Sequence, residues 1–176
     1  FDFNVFEGKT FEGHTFQVAI QTLRNKYSFP HLTVVADAGM LSADNLSFLT
    51  AEKIEYIVGA RLKNLSETLK TKITSHNYTR DTTYDISVGD QRLIVDFSLQ
   101  RAERDAYNRK RLIEKLTQKI MEKKPLVRKS KYVLLEQQGK VVGLNQALIT
   151  AEAKYDGLKG YVTNGNLRSS ALDIIT

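Results

Sequence analysis

LTVVADAGMLSADNLSFLTAEKIEYIVGARL, residues 32 to 62, is the stretch that decides the fold. Residues 32 to 37 form a nearly continuous apolar run, the composition of a strand buried on both faces in a parallel sheet. That run ends on Asp37, with Ala38 and Gly39 directly after it. Ser42 stands three residues before Asn45 and just ahead of Leu46, Phe48 and Leu49, the arrangement of an N-cap opening a helix. EYIVGARL, 55 to 62, then predicts a second buried strand. Upstream, HTFQVAIQTLRNKY, 14 to 27, sets Phe16, Ala19, Ile20 and Leu23 at helical spacing, Pro30 closes that region, and residues 2 to 7 read as a strand. Strand, helix, strand, helix, strand predicts an α/β layer with at least one right-handed parallel crossover.

Beyond Lys63 the pattern changes. LSETLKTKITSH predicts a short helix, YTRDTTYDISV and QRLIVDFSL two strands around the turn signal Gly89-Asp90, and residues 100 to 124 a long polar helix. KYVLLEQQGKVVGL, 131 to 144, reads as two more strands about Gln138-Gly139. The parallel pattern resumes at LKGYVTN, 158 to 164, followed by the helical start LRSSALDII. The expected organisation is an α/β core, residues 1 to 63 and 148 to 176, interrupted by an α+β, β-rich subdomain at 64 to 147.

Composition narrows the function. There is no cysteine, which removes disulfides, thiolate catalysis and thiolate metal sites, and the scattered His14, His31 and His76 do not form a zinc signature. With no apolar run of about 18 residues and no basic-then-apolar leader, the chain reads as a soluble cytoplasmic protein. It opens on Phe1 in a strand-like stretch and stops within a helical pattern, which predicts a piece of something longer. The net charge of +6 is uneven: residues 101 to 131 hold twelve basic side chains against four acidic ones. Such a concentration is an electrostatic footprint for a polyanion such as nucleic acid.

Ligands of open α/β sheets bind beyond the carboxyl ends of the strands, so a side chain at such a tip faces the crevice. Asp37 occupies that place, and Gly39 would let a backbone or a ligand come close. The plainer alternative is an Asp that caps a loop or the next helix. On the long helix, Arg111, Lys115, Lys119 and Lys123 recur every fourth residue as a basic stripe, with Leu112, Ile113, Leu116 and Ile120 on the apolar side. A solvated face is the alternative there. Arg61 and Lys63 follow the strand YIVGA near the end where Asp37 lies, again as phosphate contacts or ordinary surface charge. Asp156-Gly157 reads as a turn, as do Glu7, Gly8, Glu12 and Gly13, and His14 as a structural hydrogen-bonding partner.

These residues carry a resemblance. VVADAGMLSADNLSFLTAEKIEYIVGARLKN resembles the second catalytic segment of bacterial insertion-sequence transposases of the DDE type, and residues 33 to 63 are its most specific part. NVFEGKTFEGHTFQVAIQTL is similar to the strand, turn and helix leading into that segment, and AKYDGLKGYVTNGNLRSSALDII to the stretch before the final acidic motif. The resemblance implies a partial ribonuclease-H-like core with an insertion, and phosphoryl transfer on DNA. In that chemistry three carboxylates hold two divalent cations, one activating water or a 3′-hydroxyl and the other stabilising the leaving oxygen. Hard oxygen ligands suit Mg²⁺ or Mn²⁺. Asp37 would be the second carboxylate. The first is expected upstream of Phe1 and the third, a Glu on a helix, beyond Thr176, so the piece alone would be inactive. The resemblance also implies DNA partners, namely terminal inverted repeats and a target, and phosphate contacts from Arg61 and Lys63, while the charge excess on the long helix points to further phosphate contacts from Arg111, Lys115, Lys119 and Lys123. An unpaired edge at the Asp37 strand would favour a homodimer.

Two other readings stand beside it. One is a nucleic-acid-binding module without catalysis, favoured if no acids gather at Asp37. The other is an unrelated α/β enzyme using Asp37 as phospho-acceptor or Mg²⁺ ligand. That one needs a second acid at the tips of the strands near 60 or 163, where the sequence has Gly59, Arg61, Thr163 and Asn164.

Overall fold

A computed structural model describes residues 12–27, 31–38, 42–79, 82–122, 130–136 and 141–164. The chain divides into two compact units, Phe1–Ser66 with Thr83–Val95 and Lys159–Thr176, and Glu67–Thr82 with Asp96–Leu158. Relative to the insertion expected at 64 to 147, the hairpin around Gly89-Asp90 contributes to the first unit, and the second unit runs on to Leu158. The expected strand at 2 to 7 and the helical start at LRSSALDII lie outside the described residues, as does Gly39.

The first unit is built on α1 (Glu12–Lys26), β1 (Thr33–Ala36), α2 (Ala43–Ala51) and β2 (Glu55–Ala60). Ser42 caps α2 as its spacing predicts, its Oγ accepting from the Asn45 amide at 3.2 Å. Asn45 is itself buried and takes a hydrogen bond from Gln17 Nε2 at 3.0 Å, which ties α1 to α2. β1 and β2 pair in parallel, Thr33 with Glu55 through Ala36 with Val58. Ile20, Val34, Leu49, Ile54, Tyr56 and Val58 form the core between helices and sheet. The expectation of a strand buried on both faces fails at Val35, which is 73% exposed. β1 is an outer strand of the sheet among the described residues, and α1 and α2 cover only its Val34 face.

The end of α2 is unusual. The Lys53 amide donates to Thr50 O and the Ile54 amide to Leu49 O, a Schellman ending whose left-handed position is Lys53, with φ of 56°. Glycine is the residue that takes this conformation without a Cβ penalty. Lys53→Gly is therefore expected to raise stability by about 0.5–1 kcal/mol, after allowing for the greater freedom of glycine in the unfolded chain. Urea denaturation checks it, and an unchanged or lower midpoint would refute it.

The sheet continues through β7 (Leu158–Thr163), β4 (Gln91–Phe97) and β3 (Thr83–Val88), in the order β1-β2-β7-β4-β3. The parallel pattern expected at 158 to 164 is corrected here: β7 runs antiparallel to β2, with Ile57 opposite Thr163 and Ala60 opposite Gly160. Apolar content marks β7 as a strand, but its direction depends on which end of the sheet the chain re-enters. The Asn164 side chain extends the pairing, accepting from the Tyr56 amide at 3.1 Å and donating to Ile54 O at 2.8 Å. Gln91 Nε2 donates to the buried Tyr56 hydroxyl at 2.6 Å. β3 and β4 are joined by two residues, Gly89 and Asp90, a length that makes an antiparallel hairpin.

The second unit holds α3 (Glu67–Ser75), α4 (Leu99–Met121), the antiparallel pair β5 (Val133–Leu135) and β6 (Val141–Leu144), and α5 (Gln146–Ala153). α5 has no counterpart in the sequence reading. Its signal is Asn145, whose side chain accepts from the Leu148 amide at 3.0 Å as an N-cap. The architecture is mixed α/β. Among the described residues no helix is long and apolar enough to cross a membrane.

Candidate functional site

In the first unit, β1 ends at Ala36 and delivers Asp37 exposed at its carboxyl end. Because Ala36 pairs with Val58, the chain beyond β1 runs alongside Gly59. A Cβ on Gly59 would lie 2.9 Å from the Ala38 amide nitrogen. The close approach anticipated for Gly39 thus belongs, among the described residues, to Gly59 on the neighbouring strand. Past Ala60 the chain turns through a single 3₁₀ turn, Leu62–Asn64. Leu62 is buried against Gly160, where its side chain leaves no space for a Cβ. That anchor leaves Arg61 and Lys63 exposed on either side of it. Since β1 and β2 are parallel, Asp37, Arg61 and Lys63 belong to one end of the sheet.

Asp37 presents an exposed carboxylate, whose oxygens are of the hard kind that suits Mg²⁺ or Mn²⁺. Among the described residues no group of three or more His, Cys, Asp or Glu side chains is placed to hold a metal ion. Asp37 alone does not make a metal site. Glu12, Gly13 and His14 fall in the first turn of α1, so Gly13 belongs to a helix where a turn was expected. Glu7 and Gly8 lie outside the described residues.

At the other end of the same sheet, a cleft of about 750 Å³ is lined by Thr50, Lys53, Glu55, Val88, Asp90, Gln91 and Asn164. Thr163 and Asn164, considered above as a strand tip near Asp37, belong to this opposite end because β7 is antiparallel.

In the second unit, the basic side chains of α4 divide into two sets. Arg101 donates through both terminal nitrogens to Asp96 Oδ2 at 3.1 Å and to Gly157 O at 2.9 Å. Arg109 grips the Asp156 carboxylate with both terminal guanidinium nitrogens, one at 2.5 Å. The hydrogen bond to Asp156 raises the Arg109 pKa, against a smaller lowering by burial. Asp105 accepts from the Gly157 amide at 3.1 Å. These contacts fasten the turn at 154–157 to α4, so Asp156-Gly157 is a turn, as read from the sequence, with an ion pair that no local spacing announces. Arg109 and Asp156 are 47 positions apart.

The other set faces solvent. Arg111 and Lys115 are exposed and Lys119 is half-buried, while Lys123 lies outside the described residues. A four-residue repeat drifts about 40° around a helix at each step, which carries Lys119 toward the apolar side. There Leu112, Lys115, Leu116, Gln118, Lys119 and Glu122 line a shallow groove of about 300 Å³. The structure places Arg111, Lys115 and Lys119 on α4, and Asp37, Arg61 and Lys63 at the sheet end of the other unit.

No protein-family model, curated protein or solved structure matches this chain.

Proposed function

We propose that this chain is part of the catalytic domain of a DDE-type insertion-sequence transposase, with a ribonuclease-H-like core, that cleaves DNA and transfers the strand. The observation that carries the reading is a parallel strand pair with an exposed carboxylate at the exit of β1 and exposed Arg61 and Lys63 after β2. A carboxylate beside cations is what a metal-dependent phosphodiester reaction requires: an oxygen ligand for Mg²⁺, and basic side chains that position the phosphate backbone. In this reading Asp37 holds a divalent cation together with two further carboxylates, which the described residues do not bring to it. Arg61 and Lys63 bind the strand being cut, and Arg111, Lys115 and Lys119 also bind DNA phosphates.

A second reading, a nucleic-acid-binding module without catalysis, is favoured because the described residues gather no group of three metal-ligating side chains at Asp37. One experiment separates the two: duplex binding across a salt series, together with Mg²⁺-dependent nicking of plasmid, on the full-length protein. Binding that falls steeply with salt and is accompanied by nicking is expected. Lys115→Glu with Lys119→Glu should flatten the salt dependence by about 2 in the log–log slope, near one for each phosphate that is no longer neutralised. Binding without nicking overturns the catalytic reading, and loss of both overturns each of them.

A further inference from the structure

The solvent face of α4 carries more than charge. Arg104, Tyr107, Arg111 and Lys115 are spaced by three, four and four residues, which puts them within an arc of about 80° over a length of about 16 Å. Arg104, Arg111 and Lys115 are exposed, and among the described residues none of them forms an ion pair. Tyr107 is 58% exposed, although it is an aromatic side chain on a helix with an apolar side available. The Arg111 guanidinium lies 5.7 Å from the centre of its ring. Two exposed acids border the Tyr107 side of this arc, Glu114 about 20° and Glu103 about 40° beyond the ring, while Asp105 lies about 80° off the opposite side and is engaged by the Gly157 amide.

A phosphate ladder alone needs cations. An aromatic ring held open among them adds a flat apolar surface, and the guanidinium over the ring steadies it at little cost because Arg is weakly hydrated. In a duplex the bases are already stacked on each other, so a helix surface ring gains nothing from them. An unpaired base can lie on the ring while Arg104, Arg111 and Lys115 take the phosphates on either side.

We infer that the Arg104–Lys115 face of α4 is a binding site for single-stranded or locally unpaired nucleic acid, with Tyr107 as the platform for one base. This rests on the nucleic-acid reading of α4 and is independent of the role of Asp37.

The test is fluorescence anisotropy of the protein with a labelled single-stranded oligonucleotide of mixed sequence and with the matching duplex, at low salt. Tyr107→Ala should weaken single-strand binding by about 5- to 100-fold, the range that base-on-aromatic stacking supports, and should leave duplex binding within about two-fold. Tyr107→Phe, which keeps the ring, should bind as the wild type does. Arg111→Gln should weaken both ligands. Circular dichroism melts confirm that each variant is folded. Equal losses on both ligands in Tyr107→Ala, or no loss on the single strand, overturn the platform and leave the nucleic-acid reading in place. Absence of wild-type binding to either ligand overturns both.

Discussion

Under the proposed transposase function, Asp37→Asn is expected to abolish divalent-metal-dependent strand cleavage by the full-length protein, by about a thousand-fold or more, with duplex binding kept within about two-fold. The substitution keeps the shape of the side chain and removes its negative charge, so a cation loses an ionic ligand while the surface keeps its form. Asp37 is exposed after the last residue of β1, and among the described residues the hydrogen bonds that shape β1, α2 and β2 run through Gln17, Ser42, Asn45 and Asn164 and not through its carboxylate. Stability should therefore be unchanged. Nicking of supercoiled plasmid under Mg²⁺, with a thermal melt beside it, measures both quantities. Cleavage at the wild-type rate would remove Asp37 from the reaction, and a lowered melting temperature would assign it a structural role.

The largest expected effect on stability is that of Gly157→Ala, a loss of about 2–5 kcal/mol. Two penalties combine. The φ of Gly157 is +78°, in the left-handed region, and a Cβ there would meet Ala102 Cβ at 2.7 Å, Phe97 Cε2 at 2.8 Å and Ser98 O at 2.8 Å. The backbone cannot retreat freely. The Gly157 amide donates to Asp105 at 3.1 Å, and its carbonyl accepts from the Ser98 amide at 3.1 Å and from Arg101 at 2.9 Å. Gly89 provides the internal control: its φ is +59°, with nothing within 4 Å of its Cβ position. Gly89→Ala should thus show the backbone penalty alone, about 1–2 kcal/mol. Chemical denaturation of the two variants side by side decides the matter, and a Gly157→Ala no more harmful than Gly89→Ala would mean that the turn relaxes.

The helices and strands of the chain were largely legible because their signals are local. The Ser42 cap, the spacing of Phe16, Ala19, Ile20 and Leu23, and the two-residue turn at Gly89-Asp90 are each written within a few positions. What escaped depends on distant partners. The direction of β7 is set by its pairing with β2, and the burial of β1 by which face α1 and α2 cover. The basic excess on α4 was visible as a sum. Its division into Arg101 and Arg109, spent on Asp96 and Asp156, and Arg104, Arg111 and Lys115, left to solvent, required the folded turn at 154–157. The exposure of Asp37 at the exit of β1 was legible because strand exit is a local property. The close approach of Gly59 to Ala38 was not, since it links two strands.

The place of β7 in the sheet has a consequence for how the protein is made. β1, α2 and β2 are contiguous and can form as soon as they leave the ribosome, and the β3–β4 hairpin is equally local. In the strand order these two pieces meet only through β7. The partners Tyr56 and Asn164 are 108 residues apart, a separation whose closure costs on the order of 4 kcal/mol in chain entropy before any pairing repays it. A nascent chain therefore carries β2 as an open edge until residues 158 to 164 have been synthesised, and that interval is when wrong strand partners compete.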